Sequence, residues 1–141
     1  MPDDGGLAKL EAKMKAVVAQ AKQAVQPALL KQADIMAGDM RRFAETSRDT
    51  GALIDSIAVT AGGEQTPPYS QPGGSMTVPD TAVAITVGNT EVRYAHLVEY
   101  GTSKMKAEPY FWPAYRLDKK KSRTAIKRAI GNAVKANWGS E

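Results

Sequence analysis

The sequence has no cysteine and only one histidine, His96, among its 141 residues. The first absence removes disulfides, thiolate metal sites and cysteine nucleophiles, so the fold must rest on packing. The second means that a Ser-His-Asp triad or an imidazole metal centre would have to use His96. Its pairing with Glu99, three residues on, would offer two ligands on one helix face, but the further ligands of such sites are missing. Glycine spacing gives no dinucleotide fingerprint, and no Gly-Lys-Ser or Gly-Lys-Thr phosphate loop occurs. Carboxylates are scattered at polar positions and are not paired for acid–base work. The expectation is a chain that is not an enzyme and holds no cofactor and no metal. A hydrolase built on His96 is the weakest alternative, and a surface or interface histidine is the default. No apolar run approaches the roughly 20 residues that cross a bilayer, and Met1-Pro2-Asp3-Asp4 does not open a secretion signal. A soluble protein without membrane contact is expected.

Basic residues are scarce in one region and crowded in another. Residues 51 to 100 hold one basic and five acidic side chains, whereas residues 101 to 141 hold ten basic and three acidic ones. An acidic middle and a basic end suit head-to-tail contact between copies of the chain, or contact with a polyanion.

What is present begins with a helical stripe. Leu7, Leu10, Met14, Val17, Val18, Ala21, Val25, Leu29, Ala33, Met36, Met40 and Phe43 recur at steps of three or four. Pro27 interrupts the stripe without changing its phase, which predicts a bent helix or two nearly collinear ones within residues 7–45. The helix should stop within Glu45 to Asp49, with a new unit opening at Gly51. Leu53 to Val59 reads as a short strand, although Leu53, Ile54 and Ile57 also suit a helical turn. Residues 61–80 are rich in glycine and proline and predict a long loop, either a partner-binding arm or a flexible surface insertion. Ala82 to Val87 alternates as a strand, Gly88-Asn89 supplies a turn, and the next element should start near Glu91 or Val92.

Tyr94, Leu97 and Val98 fall at i, i+3 and i+4, with Gly101 placed as a helix C-cap, so a short helix is predicted there; a strand remains the alternative. A basic loop at Lys104 and Lys106 follows, then an aromatic block, Tyr110, Phe111 and Trp112, between Pro109 and Pro113. Pro113 can open a final helix, because proline suits the first turn. That helix carries Tyr115, Leu117, Ile126, Ile130, Val134 and Trp138 along one stripe, and Lys119, Lys120, Lys121, Arg123, Lys127, Arg128 and Lys135 elsewhere. The whole predicts an α+β chain in which two long helices, the first kinked near Pro27, pack on a small, mostly antiparallel sheet. One domain over residues 1–141 is expected, divided into helical residues 7–45, strands and loop over 51–93, and a short helix, aromatic loop and terminal helix over 94–138.

Tyr94-Ala95, Val98-Glu99-Tyr100-Gly101-Thr102, and Ala107, Pro109, Tyr110, Phe111, Pro113 and Ala114 resemble the signature of the small tail-completion or head-tail joining proteins of long-tailed bacteriophages. Upstream, Asp49-Thr50-Gly51, Leu53 and Ser56-Ile57 resemble that family's second block. Trp112 departs from the family's usual smaller or aliphatic residue. The resemblance implies a neck component of the virion, assembled in the host bacterial cytoplasm, that forms a ring, commonly a hexamer. Such a ring would meet a head-side connector or stopper protein and a tail terminator or tail tube protein, and would surround double-stranded DNA. The alternatives are a tail terminator ring or a basic DNA-binding module. The interface candidates are Thr50, Gly51, Glu99, Tyr100, Gly101, Thr102, Pro109, Tyr110, Phe111 and Trp112. Within that set Gly101 would allow a tight turn, Thr102 would bond local backbone, and Glu99 would offer its charge to a basic neighbour. The aromatic block would anchor the core through Phe111 or Trp112.

Overall fold

The structure is a computed structural model and describes residues 6–45, 50–72, 74–103 and 106–138. Asp49 and Lys104 lie outside the described residues. Six elements follow in chain order: α1 (Leu7–Ala44), α2 (Thr50–Asp55), β1 (Ala58–Thr60), β2 (Ala84–Thr86), α3 (Ala95–Tyr100) and α4 (Phe111–Trp138). The two strands pair antiparallel, with Val59 opposite Ile85. On its other edge β2 is extended by Gln71 and Val87, which exchange backbone hydrogen bonds of 2.7 and 2.9 Å. This is the expected α+β class, two long helices with a small antiparallel sheet.

α1 runs through Pro27 as one helix of 38 residues. Proline deprives only the Gln23 carbonyl of its helical donor, and both residues are exposed, so water can take the donor's place. Burial along α1 is uneven. Met36, Ala37, Met40 and Ala44 are buried, whereas Leu7, Leu10, Met14 and Val18 are about half exposed.

The strand expected from Leu53 is a helix instead. Leu53 within α2 and Ile57 just after it are both buried in the core, and β1 starts only at Ala58. Ser56 fixes the exit from α2: its hydroxyl donates to the Leu53 carbonyl (2.7 Å) and accepts from the Gly88 N–H (3.0 Å), joining the second motif block to the turn after β2. Arg41 of α1 donates to the Ile57 carbonyl (2.9 Å).

Residues 61–80 contain no helix or strand among the described residues, yet their two limbs lie antiparallel. Gly63 N–H donates to the Val78 carbonyl and Val78 N–H to the Glu64 carbonyl (both 2.8 Å), with Gln65 opposite Thr77. One side chain of α1 holds the base of this arm. Gln26 donates to the carbonyls of Asp80 (2.6 Å) and Ala82 (2.9 Å) and accepts from Gly62 N–H (3.2 Å). A Cβ at Gly62 would sit 2.4 Å from the Gln26 amide and 2.7 Å from the Asp80 carbonyl, so the clasp needs glycine there.

After β2, Asn89 organises the turn. Its side-chain oxygen accepts from the N–H groups of Glu91 (3.0 Å) and Val92 (2.9 Å). Val92 is buried as loop, and the following helix begins at Ala95, later than the expected start near Glu91 or Val92.

A candidate interface built on the α3–α4 junction

α3 is the predicted short helix, and Tyr94 and Val98 of its expected apolar set pack against the core, but Leu97 does not. Leu97 is 41% exposed, while Ala95 and Glu99 are inside. The burial of Glu99 overturns the reading that its charge is offered to a basic neighbour. One carboxylate oxygen accepts the N–H groups of Tyr110 (2.7 Å) and Phe111 (3.0 Å), and the other accepts that of Trp112 (3.0 Å). These are unpaired donors at the N-terminal end of α4, where the helix also presents its positive dipole end. A carboxylate from another element thus does what an N-cap side chain usually does.

This capping explains why the aromatic block is not a loop. With its N–H groups satisfied by Glu99, α4 starts at Phe111, two residues before the expected Pro113, which then sits in the first turn where its missing donor costs nothing. Tyr110 is fully buried, and its hydroxyl donates to the Ala95 carbonyl (3.1 Å). Burial first, and the Glu99 charge second, hold the Tyr110 hydroxyl well above the usual tyrosine range. Phe111 is in the core. Trp112 is half-buried against it, edge-on to Phe111 at 4.9 Å and to Tyr115 at 5.9 Å, and its indole N–H donates to the Tyr100 hydroxyl (2.6 Å).

The motif residues therefore divide. Glu99, Tyr110 and Phe111 are brought together inside, whereas Tyr100 (66% exposed), Thr102 and Pro109 lie outside. Gly101 closes α3 with φ +77°, a conformation that favours glycine, and its N–H donates to the Leu97 carbonyl (2.7 Å). Gly51 lies away on α2, exposed and with open space around it. The side chain of Thr50 is outside the description. His96 is exposed while both oxygens of Glu99 are engaged, so the two do not form a ligand pair. Among the described residues no cluster of three His, Asp or Glu side chains could hold a metal, and no helix is long and apolar enough to cross a membrane.

Ile126, Ile130 and Val134 of the expected α4 stripe are half-buried, but the first turns of the helix turn a different face inward. Tyr115 and Leu117 are 39% and 58% exposed, and Ala114, Asp118 and Ser122 are buried in their place. Small residues let α4 lie close along α1, a solution that hydropathy alone does not favour. Lys119, Lys120, Lys121, Arg123, Lys127, Arg128 and Lys135 are all exposed.

Between α1, α4 and β2 lies an open groove of about 480 Å³. Its floor includes Ala33, Met36, Ile85 and Phe111, its aromatic wall is Trp112 and Tyr115, and Lys119, Arg123 and Lys127 stand on its rim. Nothing in the sequence pattern announced it, because its lining comes from four separate segments.

Comparison with curated proteins and with solved structures gives no match. A family model does match, over residues 8–101, from the first turn of α1 to the glycine that ends α3, which is 94 of the 141 residues. That model is HK97-gp10-like, described as "Bacteriophage HK97-gp10, putative tail-component", and the chain belongs to this family of structural phage tail proteins, which work in the virion against other phage structural proteins.

Proposed function

We propose that the chain forms a closed ring, a hexamer, at the junction between the head connector and the tail tube, and that double-stranded DNA passes through it. Its neighbours are then a head-side connector or stopper protein and a tail terminator or tail tube protein. The mechanism is adhesion without catalysis, carried out by one domain spanning residues 1–141 and assembled in the host bacterial cytoplasm. Tyr100, Thr102, Pro109, Thr50 and Gly51 stand at the contacts of this ring, whereas Glu99, Tyr110 and Phe111 hold the geometry behind them.

The observation that carries this reading is the uneven distribution of exposed charge along one small chain. Exposed cations crowd α4, whereas the middle segment, residues 51–100, exposes the carboxylates Asp55, Glu64, Asp80 and Glu91 and has Arg93 as its one basic residue. A chain with two different, mutually attractive surfaces associates head to tail, and such contacts close into rings when the rotation permits. Native mass measurement of the purified protein, with labelling of the chain in intact particles, tests it. The expected result is a closed multimer and a label at the head–tail junction. A persistent monomer found elsewhere in the tail would overturn it.

The exposed lysines and arginines of α4 also favour a second reading, a DNA-binding module. It requires DNA retardation that weakens steeply with salt and is lost when Lys119, Lys120 and Lys121 are neutralised.

A further inference from the structure

In the groove between α1, α4 and β2 the core is left open to solvent. Leu29, Val83, Ile85, Trp112, Tyr115 and Ile126 line it and none of them is fully buried, in a groove of about 480 Å³. It runs along both long helices. Its lining extends from Leu29 to Met40 on α1 and from Phe111 to Lys127 on α4, which at 1.5 Å per residue is roughly 16 Å and 24 Å of helix. A groove of this size and shape takes one apolar face of a rod. Its charge is sided. Lys119, Arg123 and Lys127, all exposed, follow at steps of four residues along the α4 lip, roughly 6 Å per step. The α1 lip contributes no charged residue, and among the described residues that line the groove none is acidic. The complement is a row of carboxylates at every fourth residue beside an apolar stripe. That is an acidic amphipathic helix lying along α4, whose equal rise per residue keeps all three ion pairs in step. Duplex DNA would neutralise the cations but leave the apolar surface uncovered.

Among the described residues this chain has no helix of that kind. α1 carries seven basic and three acidic residues and α4 eight and one, while α2 and α3, with six residues each, are too short to follow the groove. The N-terminal overhang of α1, Leu7 to Val18, shows the mismatch most plainly. α1 has 38 residues against 28 in α4, and the excess falls at its N-terminal end, because Phe111 and Ala114 at the start of α4 share the core with Met40 and Ala44. Leu7, Leu10 and Met14 are exposed there, yet Lys9, Lys13 and Lys15 outnumber Glu11, so this segment of a second copy would bring like charge to the cationic lip.

We infer that the groove receives an acidic amphipathic helix of a different protein, with its apolar stripe against Ile85, Trp112 and Tyr115 and its carboxylates on Lys119, Arg123 and Lys127. The inference does not rest on the ring reading. Lys121, Arg128 and Lys135, seven residues apart and so on one common face of α4, do not line the groove and remain available for contacts between copies.

The test uses the full chain with Trp138→Phe, which leaves Trp112 in the groove as its one tryptophan, and follows the fluorescence of that residue. Three synthetic helical peptides are titrated: one with a leucine stripe flanked by glutamate at every fourth position, one with glutamine in place of the glutamate, and one with lysine. The expected result is saturable binding of the glutamate peptide, binding at least about tenfold weaker for the glutamine peptide, and none for the lysine peptide. Arg123→Glu with Lys127→Glu, at exposed positions, should invert that order, while Lys121→Glu with Arg128→Glu should leave it as it is. Circular dichroism checks that each variant keeps its helices, and the order of the three peptides on the unaltered groove decides the matter if a variant does not fold. Equal binding of the three peptides, or no binding, overturns the inference. So does loss of duplex DNA retardation in the Arg123→Glu with Lys127→Glu variant when no peptide binds, because the lip then serves DNA. A native mass spectrum in which that variant is monomeric and the unaltered chain is not also overturns it, because a second copy then covers the groove. A chain that is monomeric throughout and still prefers the glutamate peptide upholds the inference while the ring reading fails.

Discussion

The junction of α3 with α4 and the overhang of α1 are opposite in construction. At the junction a carboxylate is buried with three backbone N–H partners, a tyrosine hydroxyl is buried on a carbonyl, and an aromatic ring fills the core. Along the N-terminal overhang of α1, from Leu7 to Val18, the apolar side chains Leu7, Leu10, Met14 and Val18 stand about half in water. The first region has spent its chemistry on its own fold. The second leaves apolar surface open to solvent, and contiguous exposed apolar groups are where interaction sites are sought. Substitutions at the junction should therefore move stability, and those on the overhang should move assembly.

The largest effect is expected at Glu99. Glu99→Ala leaves three N–H groups at the start of α4 without their charged acceptor, in a site with little access for water. A loss of about 3–5 kcal/mol is expected, measured by urea unfolding. Glu99→Gln keeps an acceptor but not the charge, and should cost about half as much. If both variants lose less than about 1 kcal/mol, the carboxylate is not what sets the start of α4, and the contrast between the two regions collapses.

A smaller, pH-dependent effect is expected at Tyr110. Tyr110→Phe removes one buried hydrogen bond, worth about 1 kcal/mol near neutrality. The hydroxyl's ionisation is pushed up in the folded state, by burial and by Glu99, so its contribution is complete below the ordinary tyrosine pKa of about 10 and is lost as the pH rises above it. The gap between the two proteins should hold from pH 7 to 9, then narrow and reverse in alkali. A gap that widens instead would mean that the hydroxyl is not held protonated by the fold.

How far the sequence shows these two regions follows from the range of the interactions. Local periodicity shows α1, α3 and β2, because each is written in steps of two, three or four residues. The capping role of Glu99 is not visible in that way: its partners lie 11 to 13 residues downstream, and a glutamate on a short helix reads as solvated. Gln26 is the same case at longer range, since a glutamine beside a proline in a helix gives no sign that it clasps the base of the 61–80 arm, 54 to 56 residues away. The stripe on α1 was legible in full, yet periodicity cannot tell a face that finds its partner within the chain from one that does not. That distinction needed the lengths of α1 and α4.

The smallest effect on the fold, and the one that separates the regions most cleanly, is expected on the overhang. Charges at Leu10 and Met14 replace side chains that are already half exposed, so the stability of the isolated chain should change by no more than about 0.5 kcal/mol. Association stabilises a folded chain by mass action, however, so the melting temperature of an assembling protein falls on dilution. A thermal series over a hundredfold range of concentration should show that fall for the unaltered protein and a constant value for Leu10→Glu with Met14→Glu, the two meeting at the dilute end. If the variant melts far below the dilute unaltered chain, Leu10 and Met14 stabilise the monomer itself, and the overhang belongs with the junction after all.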